Sequence, residues 1–510
     1  MTTSEAAPAP VRAAPGADPA PRFRAWRLPA AVAVVSALVF AAVRPHLIDD
    51  TFITLSYARN LAFHGHWGLI EQGTSNTATS PLNVLALAAL TVVLRNAVFA
   101  AGALYVLCQV LLALGLRRAG ERAGLPSWFT PLAIGLLTVN PLLVSSIGLE
   151  VELGAVAVTW LLVFAHERRP VALGVVLGLL ALVRLDLLVI AAVLVLLRRR
   201  FWTGAGKSVA ASAAVVVPWF AFSWFALGAA VPDTLVIKTL QKAWGTWDFS
   251  NGPWLYSGPF PWATALSFLP VVLALLAAVL WAAATPWRGP VWTAIRPFAP
   301  LVPAGLAHYL AYSRLHVPPY HWYYGPVIVV ATTFLAAAIA AVSRASSRTL
   351  RVSASAAGVA MLFAGVVSYC AGGIPRRFAP MMSNHGATAD YERIGPELGR
   401  LVGSGTVRSG GEIGVLAYSC ECAIIDLFDD RGATGLAIAE RKANLGATGK
   451  ALLDLNFRYF DYGVRPIVTD FALVATRAAP PPDPLAHWTI SSPWAGTQQL
   501  YLVRGNGTGG

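Results

Sequence analysis

The segment SVAASAAVVVPWFAFSWFAL, from Ser208 to Leu227, decides the fold class because it contains no charged residue. An α-helix needs roughly 20 mostly apolar residues to cross the hydrocarbon core of a bilayer. Three further segments approach this length and character: Ala263 to Ala283, Pro326 to Val342 and Ala354 to Tyr369. The chain is therefore predicted to be a polytopic integral membrane protein.

The composition of the whole chain supports this prediction. Of 510 residues, 56% are hydrophobic and only 12% are charged, whereas soluble domains carry about 25% charged residues. The formal net charge is +13, but the basic residues occur in short clusters between apolar runs. This distribution is typical of cytoplasmic loops, while nucleic-acid binding needs a basic face on a folded domain. We therefore predict a lipid bilayer as partner and no nucleic acid.

Loop charges predict the orientation of the chain. The loops predicted to be cytoplasmic hold 14 Lys or Arg and 2 acidic residues: 117–122, 166–170, 198–207, 285–296 and 343–351. The predicted outer segments hold 6 basic and 8 acidic residues: 45–95, 148–153, 184–186, 229–262 and 314–321. Because positive loops stay inside, the N-terminus is predicted to be cytoplasmic and the C-terminal region extracytoplasmic.

One apolar segment, Pro81 to Leu94, is too short for a simple crossing. Its 14 residues span about 21 Å as a helix, against a hydrocarbon core of about 30 Å. A crossing here would also reverse the charge pattern of every later loop, so we expect the segment to lie along the outer interface. About eleven transmembrane helices remain on this interpretation. The short pair 171–183 and 186–197 carries Arg184 and Asp186 at its tip, either as a structural ion pair or in a polar cavity.

Both ends of the chain differ from its apolar middle. Residues 1–27 are rich in Ala and Pro and are predicted to form a disordered cytoplasmic tail. Residues 373–510 are predicted to form a small extracytoplasmic α/β domain. We expect helices over 389–402 and 447–460, and strands in the segments IGVLAY, AIIDLF, RPIVTD and QQLYLV.

Candidate catalytic residues follow the first predicted crossing, in HLIDDTFITLSYARNLAFHGHWGLIEQGTSNTATSPLN (46–83). Asp49 and Asp50 are adjacent carboxylates, and Thr51 to Phe63 is expected to form an amphipathic interfacial helix. Two like charges side by side raise the pKa of one carboxyl group and make it a better base. Alternatively, the pair caps the helix that begins at Thr51.

This segment resembles the first outer loop of GT-C glycosyltransferases. The acidic pair is followed by Y-A-R-N-L and by a G-x-x-x-x-G-T-S-N-T turn (68–77). Further matches follow in order: S-S-I-G-L-E (145–150), A-L-V-R-L-D (181–186), P-D-T-L-V-I-K-T (232–239) and P-P-Y-H-W-Y-Y-G-P (318–326). The resemblance spans most of residues 28–372 and is closest to the branch that holds actinobacterial arabinofuranosyltransferases.

The resemblance implies a GT-C-like transmembrane domain over 28–372 with a catalytic first outer loop at 45–95. It implies inverting transfer of a sugar, arabinofuranose in that branch, from a polyprenyl-phosphate donor at the bacterial plasma membrane. The acceptor would be an envelope glycan, glycolipid or protein. Asp50 or Asp49 would act as general base, and we favour Asp50. The alternative function is a secondary transporter or flippase, for which internal repeats are expected; the sequence has none.

A lipid-phosphate donor needs cations near its headgroup. The candidates in the outer segments are Lys238, Lys242, Arg314 and Arg59. The resemblance supports Lys238 best, and each of the four could instead extend to lipid headgroups. Glu150 and Glu152 form a candidate acceptor site or second acidic site. Other candidate substrate contacts are His316, His321, Trp322, Tyr323 and Arg184.

The sequence predicts no resident metal and no cofactor firmly. Cys420 and Cys422 are separated by one residue, which fits a disulfide or two strand cysteines on one face but not a zinc site. A divalent cation held between the first-loop aspartates and the two glutamates is the open alternative.

Overall fold

The computed structural model describes residues 26–197, 204–241, 243–284 and 289–505. Within these ranges a bundle of α-helices is followed by a smaller domain built on a five-stranded sheet. The predicted fold class, an all-α membrane domain with a C-terminal α/β domain, is confirmed. Lys242 and nearly all of the predicted cytoplasmic tail lie outside the described residues.

The helices of the bundle follow one another along residues 27–370. They are α1 (Arg27–Val43), α2 (Asp49–His64), α3 (Pro81–Leu94), α4 (Ala97–Arg122), α5 (Phe129–Thr138), α6 (Pro141–Ser145), α7 (Val151–Glu167), α8 (Pro170–Val183), α9 (Leu188–Leu196), α10 (Ala205–Ala226), α11 (Thr234–Gln241), α12 (Gly252–Ser257), α13 (Pro261–Ala283), α14 (Pro290–Ile295), α15 (Leu301–Ser313), α16 (Gly325–Val342) and α17 (Arg348–Cys370). Short 3-10 helices cover Arg44–His46, Leu185–Leu187 and His321–Tyr324.

Several of these helices have the length and composition of membrane spans. In the described part of the chain, six qualify: Arg27–His46, Ala97–Arg122, Ala205–Ala226, Pro261–Ala283, His321–Val342 and Arg348–Cys370. Shorter apolar helices lie among them: Pro81–Leu94, Phe129–Thr138, Pro170–Val183 and Leu185–Leu196. Apolar side chains such as Phe222, Phe225 and Phe363 are exposed on the outside of the bundle. An apolar outer face is favourable in lipid and not in water, so the chain is a multi-pass membrane protein.

The helix α16 forms the centre of the bundle. In the 18-residue apolar stretch within His321–Val342, 89% of the residues are buried. The fully buried residues of α16 include Ala336, Ala337, Ala340 and Ala341. Small side chains allow neighbouring helices to approach closely. The helices α5, α13, α14, α15 and α17 pack around it.

Predicted cytoplasmic loops meet at one end of the bundle. Arg118 donates two hydrogen bonds to the carboxylate of Glu167, at 2.5 and 2.6 Å. Arg122 and Arg169 lie 3.5 and 3.3 Å from the same carboxylate. The loops at 117–122 and 166–170 therefore lie side by side, as their shared charge character predicts.

The helices α2 and α3 both begin beside the turn at 147–148. The hydroxyl of Thr51 and the amide of Asn83 donate to carbonyl groups of that turn, at 3.3 and 3.4 Å. The guanidinium of Arg44, at the end of α1, lies 5.1 Å from the ring centre of Phe99 at the start of α4. The helix α4 therefore starts on the side of the bundle where α1 ends, which is the arrangement expected if α3 lies along the interface.

The C-terminal domain combines helices with a mixed sheet. Its elements are α18 (Thr388–Val402), β1 (Thr406–Ser409), α19 (Gly414–Cys420), β2 (Ala423–Ile425), α20 (Arg431–Ala443), α21 (Ala447–Asn456), β3 (Phe471–Thr476), β4 (Ala486–Ser492) and β5 (Gly496–Arg504). The strand order is β2-β1-β3-β5-β4. The strand β1 pairs in parallel with β2 and β3, and β5 pairs antiparallel with β3 and β4.

Two of the predicted strands are wrong. The segment IGVLAY lies mostly in the helix α19, and RPIVTD precedes β3, which starts only at Phe471. The strand prediction failed at α19 because its first backbone N–H groups bind a distant carboxylate, a tertiary contact that local propensity does not contain. The cysteines at 420 and 422 are not on a strand either, and they form a disulfide at the end of α19.

Candidate functional site

Asp49 and Asp50 lie in the first turn of α2, and Asp49 binds a different helix. Neither is the N-cap of α2, since that position is the residue before them. The carboxylate of Asp49 accepts backbone hydrogen bonds from Ile413, Gly414 and Val415, at 3.2, 2.9 and 2.8 Å. Burial raises the pKa of Asp49, and these three donors oppose the rise. Asp49 therefore links the C-terminal domain to the first outer loop.

Asp50 has a different environment from its neighbour. It makes none of the backbone contacts that hold Asp49 at the start of α19. Burial raises the pKa of Asp50 to about 7, with the charge of Asp49 adding to the rise and Lys238 opposing it. A carboxylate with a pKa near neutrality is well suited to general-base catalysis, so the structure supplies a physical reason for favouring Asp50 that the sequence did not contain.

Lys238 carries the positive charge that opposes the rise in the pKa of Asp50. It lies on α11, where its ammonium donates to the hydroxyl of Tyr323 at 2.5 Å and lies 5.4 Å from the ring centre of Tyr320. Burial lowers the pKa of Lys238, while the charges of Tyr320 and Asp50 oppose the fall. An ammonium group has three donors, and the phenol of Tyr323 occupies one of them. The remaining donors suit an anionic ligand such as a phosphate.

Arg184 is the centre of a buried polar network. Its guanidinium donates to Glu150 at 2.6 Å and to Asp186 at 2.8 Å, and it also bonds to the hydroxyl of Tyr312. The other oxygen of Asp186 lies 2.9 Å from the ring nitrogen Nε2 of His308. The sequence analysis did not identify Tyr312 or His308, because both lie in an ordinary apolar helix, α15.

The two alternatives for Arg184, a structural ion pair and a cavity-lining residue, both hold. Glu150, Arg184, Trp322 and Tyr323 line a cavity of about 20 Å³, which is enough for a water molecule. The guanidinium carbon of Arg184 lies 4.8 Å from the ring centre of Tyr323. Since Tyr323 also accepts a hydrogen bond from Lys238, it connects the network around Arg184 to the ammonium of Lys238.

The helix α2 has a buried side on which Phe52, Leu55 and Tyr57 are fully buried. The ring of Phe52 packs against Tyr418 of the C-terminal domain, and the ring of Tyr57 packs against Trp67 of the first outer loop. Arg59 donates to the carbonyl of Tyr418 at 2.9 Å and lies 4.5 Å from its ring centre. The structure thus places Arg59 at the interface between the first outer loop and the C-terminal domain.

Two other predicted residues lie on the exposed rim. The side chain of Arg314 is exposed. The ring nitrogen Nδ1 of His316 lies 2.7 Å from the carboxylate of Asp248, and the imidazole is 72% exposed. Neither residue contacts the network of Arg184 and Lys238, so neither is brought to Asp50.

Glu152 and His321 are buried in separate surroundings. Glu152 lines two small cavities inside the bundle together with Tyr105, and its spacing of two residues from Glu150 directs the two side chains to different sides of α7. His321 is fully buried against the rings of Tyr256 and Trp322. Among the described residues, the open alternative of a metal-holding group that joins Glu152 with Asp49 and Asp50 is not seen.

The C-terminal domain places a carboxylate, Asp426, within electrostatic range of Tyr320, and this residue was not predicted from the sequence. Asp426 directly follows β2, and burial raises its pKa to about 7. Burial also raises the pKa of Tyr320, and the charges of Asp50 and Asp426 both add to that rise. Two carboxylates from different domains therefore both raise the pKa of the Tyr320 phenol. Asp426 could have been identified from the sequence because it follows the carboxyl end of a parallel strand, where ligand-binding residues are common.

The G-T-S-N-T turn contacts the same part of the C-terminal domain. The hydroxyl of Ser75 donates to Asp429 at 3.4 Å. The hydroxyl of Tyr57 lies 2.5 Å from that of Ser75 and 2.8 Å from that of Thr77. The turn is therefore held between α2 and the segment that follows β2.

Two of the four carboxylates considered for a divalent cation have other partners. Asp49 accepts three backbone N–H groups, and Glu150 accepts from Arg184. Across the described ranges, no group of three or more His, Cys, Asp or Glu residues is arranged to hold a metal ion.

Comparison with known proteins identifies the fold. No family model matches the chain, and no curated protein matches it. The crystal structure of ArnT from Cupriavidus metallidurans bound to undecaprenyl phosphate superposes with a TM-score of 0.56 at 14% identity, covering 94% of this chain and 98% of ArnT. The apo structure of ArnT gives a TM-score of 0.55 at the same identity and coverage. The chain is therefore a multi-pass membrane protein with the fold of ArnT.

Proposed function

We propose that this protein is an inverting membrane glycosyltransferase that moves a sugar from a polyprenyl-phosphate donor to a hydroxyl group of a cell-envelope acceptor. The observation that carries the proposal is Asp50, a carboxylate with a pKa near neutrality whose charge interacts with the buried ammonium of Lys238. The shared fold with a protein that binds undecaprenyl phosphate supports this class of donor.

In the proposed reaction Asp50 is the general base. It takes the proton of the acceptor hydroxyl while that oxygen attacks the anomeric carbon of the donor sugar. The bond between the anomeric carbon and the phosphate oxygen breaks on the opposite face, so the anomeric configuration inverts and polyprenyl phosphate leaves. A positioned base of suitable pKa contributes about 10²–10⁴-fold to the rate.

Lys238 is the proposed ligand of the donor phosphate. Its ammonium stabilises the negative charge that grows on the phosphate as the sugar leaves. Tyr323 holds this ammonium and is itself packed on Arg184. Since Arg184 is paired with Glu150 and Asp186, we assign the two carboxylates to positioning and not to proton transfer.

The C-terminal domain is proposed to cover an extracytoplasmic active site, with the N-terminus of the chain in the cytoplasm. Asp49 and Arg59 hold this domain on the first outer loop. The disulfide between Cys420 and Cys422 supports the extracytoplasmic location, because disulfides persist mainly in oxidising compartments.

The sugar and acceptor follow from the sequence resemblance alone. Arabinofuranose is the proposed donor sugar, and an envelope glycan, a glycolipid or a protein is the proposed acceptor class. A panel of polyprenyl-phosphate sugars, offered with envelope acceptors to the purified protein, tests both parts separately.

The decisive experiment compares sugar transfer by the wild type, Asp50→Asn and Asp454→Asn. Asp454 is a matched control because it is an exposed carboxylate on the C-terminal domain. We expect transfer by the wild type and the control, loss of transfer in Asp50→Asn, and inversion of the anomeric centre by NMR. Absence of transfer with every donor, together with movement of a lipid-linked sugar across vesicles, would instead favour a flippase.

A further inference from the structure

The C-terminal domain has an exposed apolar face on the helix α21. Leu452, Leu455 and Tyr459 are 63%, 53% and 47% exposed. Their spacing of i, i+3 and i+7 puts them on one side of α21 and of the turn that follows it. We call these three residues the α21 face.

The α21 face lies against the last turn of the membrane-spanning helix α10. The indole N–H of Trp224 donates to the carbonyl of Leu455 at 2.9 Å. The ring centre of Tyr459 lies 5.3 Å from that of Trp224 and 5.0 Å from that of Phe225. Phe225 is 61% exposed on the outer surface of α10. Tyr459 therefore extends an apolar surface that already faces lipid.

The end of a spanning helix lies at the level of the lipid headgroups, where Trp and Tyr side chains are enriched. Trp224 and Phe225 are in the last turn of α10, which ends at Ala226. The backbone N–H of Val231 donates to the side chain of Asn456 at 2.7 Å, and that side chain donates back to the carbonyl of Val231 at 3.2 Å. These bonds hold α21 at the depth of the helix end.

The opposite side of α21 is packed inside the protein. Leu453, Phe457 and Phe460 form a small core with Ala229 and Val236, which lies on α11. The helix is thus apolar on two sides, and the protein covers only one of them. The cationic side chain of Arg458, which precedes Tyr459 in the chain, is exposed, as is common where a helix meets lipid phosphates.

We propose that the α21 face is a lipid-binding surface that inserts into the outer interface of the bilayer and keeps the C-terminal domain docked on it. Helices that lie in this interface bury their apolar side by roughly 5–10 Å. The inference rests on the membrane position of α10 and does not depend on the catalytic proposal. Because α21 packs on α11, the same contact also steadies the element that carries Lys238.

Fluorescent labels at single cysteines test the proposal in the full chain. The background is Cys370→Ser, since Cys370 is an exposed free cysteine whereas Cys108 is buried and the other two are bonded. Leu452→Cys and Leu455→Cys report on the α21 face. Leu401→Cys is the control, because Leu401 is a leucine of similar exposure, 48%. It lies before the start of β1, at the end of that strand opposite to the one from which the chain continues to its contact with the first outer loop.

The labelled proteins are reconstituted into phosphatidylcholine–phosphatidylglycerol vesicles and exposed to brominated lipids and to aqueous iodide. We expect brominated lipids to quench the labels at 452 and 455 at least about threefold more than the label at 401, with the reverse order for iodide. Iodide quenching at 452 and 455 equal to that at 401 would overturn the proposal. Labels protected from both quenchers would also overturn it, because the face would then be covered by protein.

Discussion

Replacement of Asp50 by Asn tests the proposed mechanism most directly. The amide has nearly the same shape as the carboxylate but cannot accept the acceptor's proton. We therefore expect kcat to fall by about 10²–10⁴-fold, which corresponds to about 3–5 kcal/mol in the activation barrier. Stability should be equal or higher at neutral pH, because burial and the charge of Asp49 disfavour the ionised form of Asp50.

Asp49→Asn is the matched comparison, and its expected phenotype is the opposite. The Asp49 carboxylate accepts three backbone N–H groups at the start of α19, and an amide has only one oxygen to accept them. A buried donor left without a partner costs about 1–3 kcal/mol. The variant should therefore unfold at a lower temperature, while the molecules that remain folded keep a functional base.

The assay measures transfer of a labelled sugar at saturating donor, with thermal unfolding of the same samples in parallel. Asp50→Asn should lose activity and keep its unfolding temperature, and Asp49→Asn should lose stability first. The reasoning is refuted if Asp50→Asn keeps more than about a tenth of the wild-type kcat. An inactive Asp49→Asn with unchanged stability would assign the base to Asp49.

The remaining predictions concern pH, the phosphate ligand and the buried network. Because the base must be ionised and the pKa of Asp50 is raised to about 7, kcat/KM should rise about tenfold per pH unit below pH 7 and level off above it; a profile flat from pH 5 to 8 contradicts this. Lys238→Met should lower kcat/KM by about 10²–10³-fold. Arg314→Met, on the exposed rim, should keep a kcat/KM near that of the wild type. Equal losses in the two variants would contradict the assignment of the donor phosphate to Lys238. Arg184→Met leaves the buried carboxylate of Glu150 unpaired, so it should cost about 3–5 kcal/mol in unfolding free energy, and an unchanged unfolding transition would show that the network is not structural.

Local patterns in the sequence predicted the helical class of the membrane domain, although six of the described helices and not eleven have the length and composition of spans, and they were insufficient for parts of the C-terminal domain. Long apolar runs predict helices in lipid because a helix satisfies its own backbone groups there. The segment IGVLAY has the apolar character of a strand, yet it forms α19, whose N-terminal backbone groups bind Asp49 from 365 residues away. No short window around residues 413–418 contains that partner.

The candidate site shows the same division between local and distant information. The acidic pair and Lys238 were identified from residue types, position and resemblance. Arg59 was predicted as a phosphate ligand from its charge, and its hydrogen bond to the carbonyl of Tyr418 was not visible in the sequence. Asp426 was missed because its approach to Tyr320 depends on how the two domains pack.

The sequence by itself determined that this chain is a multi-pass membrane protein with an α/β C-terminal domain, because apolar length and loop charge act through each segment's own interaction with lipid and water. Only the tertiary structure separated Asp49 from Asp50, since both are aspartates in the same helical turn. Backbone donors from α19 hold one of them, and the other keeps a pKa near neutrality beside Lys238. That difference arises from groups hundreds of residues apart in the chain, which only folding brings within hydrogen-bonding and electrostatic range.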